Sequence, residues 1–156
     1  MKKVYKLAFE DFDAEEYSLI AIHSGLEAYR LAYFINRELN IRLEKCPKDV
    51  AYTVEQGKAT FNRYIYEDEV NNAEWNLLEN KDTALSTAAD TTLFGSSGIS
   101  VSIYLLPEYK NADYLLKVEN AEGVDKAVQL LDGIQHIRAA YTIDTHRLRS
   151  KNNLIF

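Results

Sequence analysis

Two short stretches of the 156-residue chain bring together side chains that can do chemistry. The first is Leu106-Pro107-Glu108-Tyr109-Lys110-Asn111-Ala112-Asp113-Tyr114. Glu108 and Asp113 have the spacing of a carboxylate pair at the two ends of one hairpin loop. Such a pair serves as general acid and base once unequal surroundings separate the two pKa values. The plainer reading is that both acids cap the turn and accept backbone amides, while Tyr114 packs in the core and Pro107 sets the first corner with its fixed φ. The second stretch is His23-Ser24-Gly25, where a buried strand is expected to meet a helix N-terminus. Free amides and the helix dipole make such a junction attractive to an anion, and Gly25 would let a ligand approach the backbone. Against this, Ser24 has a capping task and His23 can simply end the strand. His23, Ser24, Gly25, Glu108, Asp113 and Tyr114 form the candidate ligand-binding set, and no residue is assigned a catalytic role.

Other chemistries find less support. Ser24, Ser96 and Ser97 lack the Gly-x-Ser-x-Gly elbow of a nucleophilic serine. Gly95-Ser96-Ser97-Gly98 lacks the Lys of a phosphate-binding loop and reads as linker. Cys46 is the single cysteine, so neither an intrachain disulfide nor a Cys-x-x-Cys metal site is available. His136 and His146 have no second ligand at a metal-binding helical spacing, and His136 is expected to cap the second helix. No metal and no cofactor are expected. With 24 acidic against 18 basic residues, the net charge of −6 disfavours nucleic acid as a partner. The basic run from His146 to Lys151 reads as a solvated tail. No apolar run approaches transmembrane length, and the alternation after Met1-Lys2-Lys3 is unlike a signal peptide. The expected location is the cytoplasm, with no membrane partner.

The elements that must position these residues follow from periodicity. Residues 3–9 alternate as a strand, 10–15 form an acidic turn, and Tyr17-Ser18-Leu19-Ile20-Ala21-Ile22 is a buried strand. Ser24 with Glu27 resembles a capping box, and Leu26, Tyr29, Ala32, Tyr33, Ile35 and Leu39 predict an amphipathic helix over 25–39. Residues 41–44 alternate as a third strand. The runs 59–66 and 75–78 are β-prone and aromatic, and 67–72 suits a hairpin connection. Residues 81–98, poor in large apolar side chains, read as a flexible loop. The last third then repeats the first: strand 99–106, turn 107–112, strand 114–118, a helical stripe from Val124 to Ile134, and strand 137–143. Tyr17 to Ile41 spans 24 positions and Tyr114 to Ile137 spans 23. Phe9 to Tyr17 is a weaker copy of Leu106 to Tyr114, with an apolar residue first, an acid third, an aromatic fourth and an acid-Tyr pair last.

The expected architecture is therefore one α+β domain: a mainly antiparallel sheet of about eight strands with two helices on one face. Pseudo-repeat halves at 3–46 and 99–143 would flank a central hairpin at 59–80. Similar packing solutions would produce the same parallel without duplication.

Leu106-Pro107-Glu108, three residues, then Ala112-Asp113-Tyr114 resembles the signature after which the IPExxxVDY family is named. Leu106 stands for Ile and Ala112 for Val. Leu115-Leu116-Lys117-Val118, Leu19-Ile20-Ala21-Ile22 and the Glu27 to Ala32 stretch fit the same family, so the resemblance spans most of the chain. It implies a small bacterial protein with no assigned activity, and it supplies no catalytic residues to carry over.

The function expected is a non-enzymatic interaction module, forming a homo-oligomer or an adaptor for an unidentified protein partner. Tyr52, Tyr64, Tyr66 and Trp75 around the central hairpin have the composition of an interface, although cross-strand packing accounts for them equally. The alternative is a sensor for an anionic metabolite, bound near His23-Ser24 or its counterpart Asn120-Ala121. An enzyme using Glu108 and Asp113 is the third reading.

Overall fold

The apolar run beginning at Tyr17 becomes β1 (Tyr17–Ser24) in a computed structural model that describes residues 17–54, 57–85 and 100–156. Leu19 to Ile22 are completely buried because the sheet carrying them is covered on both faces. Ile20 and Ile22 join one hydrophobic cluster while Leu19 and Ala21 join the other, as the two-residue period of a strand requires.

The chain continues through α1 (Ala28–Leu39), β2 (Glu44–Lys45), β3 (Val50–Val54), β4 (Gly57–Phe61), β5 (Arg63–Asp68), β6 (Ala73–Glu79), β7 (Lys81–Leu85) and β8 (Ser100–Tyr104). It then runs through β9 (Tyr114–Glu119), α2 (Val124–Asp132) and β10 (Ile137–Ile143), with short 3-10 turns between and after. Six strands form an antiparallel sheet in the order β10-β1-β9-β6-β5-β2, and β3-β4 and β7-β8 make separate two-stranded ribbons. Both helices cover the same face. Leu31 and Ile35 of α1 and Leu131 of α2 pack with Ile22, Trp75, Leu77 and Leu116. The opposite face holds a second core around Phe61, Leu78, Leu105, Leu106 and Leu115.

The connectivity determines where the candidate residues meet. β1 is antiparallel to both β9 and β10, so β9, α2 and β10 form a parallel crossover with β1 inserted between its strands. β6 is likewise parallel to β1, with β9 between them. The path β1-α1-β6-β9-α2-β10 is an interlocked β-α-β-β-α-β arrangement. β2 to β5 are inserted after α1, and β7-β8 after β6. β1-α1 and β9-α2 are consequently antiparallel neighbours at the centre of the molecule.

The α+β class, the dominance of antiparallel pairing and the one-sided helices agree with the periodicity, and several boundaries differ from it. Among the described residues the strands number ten in three sheets: β3 and β7 lie where no strand was expected, and the single run expected over 59–66 divides at Asn62. There the chain changes sheets, and the Asn62 side chain donates to Glu79 Oε1 at 2.7 Å and accepts from Lys45 Nζ at 2.8 Å. The third strand shortens to Glu44–Lys45, because Asn36 satisfies both the amide and the carbonyl of Leu43, at 2.8 and 3.1 Å. The helix begins at Ala28, with Glu27 extended as its N-cap. The segment read as loop from residue 81 starts as β7, paired with β8 from Lys81↔Tyr104 to Leu85↔Ser100. The rest of that loop, the expected strand at 3–9, the turn at 10–15 and all of the Phe9 copy except Tyr17 lie outside the described residues.

Candidate functional site

The register of β1 against β9 places Ile22 opposite Tyr114, so the residues just beyond each strand end face one another. The Asp113 amide donates to Ile22 O at 3.0 Å, and Asp113 Oδ2 accepts the Ser24 amide at 2.8 Å. Pairing with β10 slips between His23 and Ser24, which sit opposite Ala139 and Ile137. Bulges of this kind re-aim a side chain. The residue skipped is Arg138, whose Nη2 lies 3.2 Å from Asp113 Oδ2. Two stretches singled out separately in the sequence, His23-Ser24-Gly25 and Asp113-Tyr114, thus meet at one junction.

Each polar group at that junction already has a partner. Ser24 Oγ donates to His136 O at 2.8 Å and accepts the Leu26 amide at 3.2 Å. Tyr114 is buried, and its hydroxyl donates to Leu26 O at 2.6 Å. Burial pushes the Tyr114 phenol up to about 12, and the carboxylates of Glu79, Asp113 and Glu27 add to the effect. His23 Nε2 lies 2.9 Å from Tyr141 Oη, with the two rings stacked at a tilt.

These partners limit the chemistry. A nucleophilic serine needs a base to receive its proton, whereas the Ser24 proton points at a peptide carbonyl. His23 is turned to Tyr141, so no Ser-His-Asp relay is assembled. The Ser24 amide is bonded to Asp113, and the N-cap of α1 is the acidic Glu27. Asp113 and Glu27 thus place two carboxylates beside the junction proposed for an anionic ligand. Gly25 has an unoccupied space beside it and no left-handed φ, so close approach is not what its backbone requires.

Glu108 belongs to a different neighbourhood. It lies in the 3-10 turn Pro107–Tyr109 and reaches the C-terminal segment. Its Oε2 accepts the amides of Arg149 and Ser150 at 2.7 and 3.1 Å, and Oε1 accepts the Ser150 hydroxyl at 2.6 Å. Partial burial pulls its carboxyl upward. The hydrogen bonds from the Ser150 hydroxyl, the Ser150 amide and the Arg149 amide outweigh that and hold it below the usual glutamate range. Glu108 and Asp113 do bind backbone amides of distant segments, and the Glu108 carboxylate also has its own amide as a partner. Nor does the stretch form a hairpin corner: β8 pairs with β7, and β9 with β1 and β6. Leu106 to Asp113 is a crossover from one sheet to another.

That crossover is held by Asn80, which the sequence does not mark. Asn80 is fully buried. Its Nδ2 donates to Tyr109 O and Ala112 O, both at 2.9 Å, and its Oδ1 accepts the Leu106 amide at 2.8 Å. Its own amide and carbonyl bond Asp113 O and the Leu105 amide. An asparagine between two strands looks like any turn residue. Only the crossover folding around it reveals its role.

The aromatic hairpin also has a structural use. Tyr66 pairs with Trp75 and Tyr64 with Leu77 across β5 and β6, all packed with the helix-side core, and Tyr52 packs against the other core. Among the described residues, no cluster of three or more His, Cys, Asp or Glu is placed to hold a metal, and no helix is long and apolar enough to cross a membrane. Comparison with protein-family models, with curated proteins and with solved structures finds no match to this chain.

Proposed function

We propose that this protein works by binding another protein through the outer face of α1, as a cytoplasmic interaction module, and that it belongs to the IPExxxVDY family through its 106–114 signature. The observation that supports this reading is a stripe on α1. Tyr29 and Tyr33, one helical turn apart, are 60% and 61% exposed, and Arg30 and Arg37 are exposed beside them. Tyr and Arg are the residues most enriched at the energetic centres of protein interfaces. Large aromatic side chains in open solvent are otherwise uncommon in a chain that buries so many others. The partner is a second copy of this chain or a different protein.

Sedimentation velocity of the wild type and of a Tyr29→Ala, Tyr33→Ala double variant, together with in-cell crosslinking from position 33, tests the reading. Loss of a dimer in the variant identifies a self-association face. A monomeric wild type whose crosslinked product disappears in the variant identifies a different partner. Identical sedimentation and identical crosslinks for both proteins refute the proposal.

A further inference from the structure

We infer that the cavity where α1 ends and α2 begins is a binding site for an organic cation, an ammonium or guanidinium group on an alkyl chain. It has a volume of about 510 Å³, within the roughly 300–1,000 Å³ usual for small-molecule sites. Two aromatic residues and two acids contribute to its walls: Tyr66 and Trp75, which are direct cross-strand neighbours, and Asp68 and Glu122. No Lys, Arg or His lines it among the described residues.

The backbone gives the cavity its form. Asn40 and Asn120, two of its lining residues, have left-handed φ values of 54° and 56° and turn the chain at the ends of α1 and β9. Asn71 holds Asp68 in position, donating its side chain at 2.6 Å and its amide at 3.2 Å, which keeps that carboxyl below the usual aspartate range. The C-terminal end of α1 carries partial negative charge and the N-terminal end of α2 partial positive charge. These offset one another, and Asp125 in the first turn of α2 further opposes the positive end. The sign of the cavity is therefore set by Asp68 and Glu122.

An alkylammonium or alkylguanidinium entering it finds the carboxylates of Asp68 and Glu122 for its charge, the aromatic side chains of Tyr66 and Trp75, a residue class that attracts cations, and Leu39 and Ile41 for its alkyl part. An anion would meet two carboxylates and no basic side chain. Asn120-Ala121, the expected counterpart of an anion site, borders this cavity with the opposite electrostatic preference. The assignment does not depend on the Tyr29 and Tyr33 face.

Trp75 is the chain's single tryptophan, so its fluorescence reports occupancy directly. Agmatine, putrescine, an acetylated and amidated Gly-Arg-Gly peptide, and glutarate are titrated into the full chain at about 50 mM salt, following Trp75 emission and calorimetric heat. Agmatine and putrescine should saturate while glutarate does not. Glu122→Gln, which alters an exposed side chain, should weaken cation binding about fivefold, and raising the salt to about 0.5 M should weaken it similarly. Peptide binding at least as tight as agmatine makes a partner's arginine the source of the cation, and tighter agmatine makes it a free amine. The Tyr29→Ala, Tyr33→Ala variant should titrate like the wild type, which separates this site from the α1 face. No cation response below about 10 mM, equal binding of glutarate, or affinities indifferent to both Glu122→Gln and salt would overturn the assignment.

Discussion

Asn80 gives the 105–113 crossover its shape by serving three backbone groups with one side chain. Replacing it with Ala leaves the buried Leu106 amide and the Ala112 carbonyl without that partner, while Tyr109 O keeps the Ala112 amide, and each stranded group costs about 1–3 kcal/mol. Asn80→Ala should therefore lose about 4 kcal/mol in urea unfolding. Asn111→Ala, at an exposed position in the same segment, should stay within about 0.5 kcal/mol. Equal effects would show that the Asn80 bonds do not organise the crossover. The other conspicuous residues of the 106–114 stretch have comparable physical tasks. Leu106 and Ala112 are buried, Pro107 opens the 3-10 turn, Glu108 ties down the C-terminal segment, Asp113 binds Ser24, and Tyr114 reaches Leu26. Residue type made these positions conspicuous. It did not distinguish a site from a set of ties, because a carboxylate that binds an amide and one that binds a ligand are the same residue in a sequence.

At the scale of elements, the β1-α1 corner depends on β9. Tyr114 begins β9, and its hydroxyl fixes Leu26 in the bend before α1. Its folded-state pKa, about 12, lies above the ordinary value near 10. A raised value contributes stability that is fully present below about pH 10 and is lost as pH rises through the folded value. Tyr114→Phe should cost about 1–2 kcal/mol at neutral pH through the unpaired Leu26 carbonyl. The variant should also lose less stability than the wild type between about pH 10 and pH 12. Urea midpoints of both proteins across that range measure it, and parallel curves would remove Tyr114 from the alkaline transition. The helices and most strands of the main sheet were legible because their apolar residues recur at 3.6 or 2 positions. Boundaries failed where a side chain replaced a backbone partner: Asn36 ended the strand expected at 41–44, and Asn62 moved the chain to another sheet.

Across the whole molecule, the C-terminal segment is fastened to the sheet face that the helices leave open. Lys117 is buried on β9, with Nζ 3.0 Å from Leu154 O and 2.7 Å from Glu119 Oε1, and Phe156 lies over it. Asn153 donates to Leu105 O at 2.9 Å, and Glu108 holds residues 149 and 150. Removing the ammonium takes the partner from the Leu154 carbonyl, at about 1–3 kcal/mol, while the Glu119 carboxylate, 28% exposed, stays in reach of water. Lys117→Met should therefore destabilise the protein by about that amount and release the segment. The Asn153 and Ile155 amides, which bond Ser150 O and Asn152 O, should lose hydrogen-exchange protection before those of β9. Unchanged protection at both amides would show that Lys117 does not secure the segment.

Composition and periodicity by themselves determined the α+β class, the two amphipathic helices and the antiparallel character of the sheet, because those follow from which residues must leave water and at what spacing. The 106–114 stretch was conspicuous from sequence, and its role was open. Only the tertiary structure decided that Asp113 joins Ser24 while Glu108 goes to Ser150, since strand register and crossover path are long-range quantities that no local pattern carries. It also decided that the hairpin aromatics pack against the two cores, and that Tyr66 and Trp75 line a cavity shared by Asp68 and Glu122, far apart in the chain.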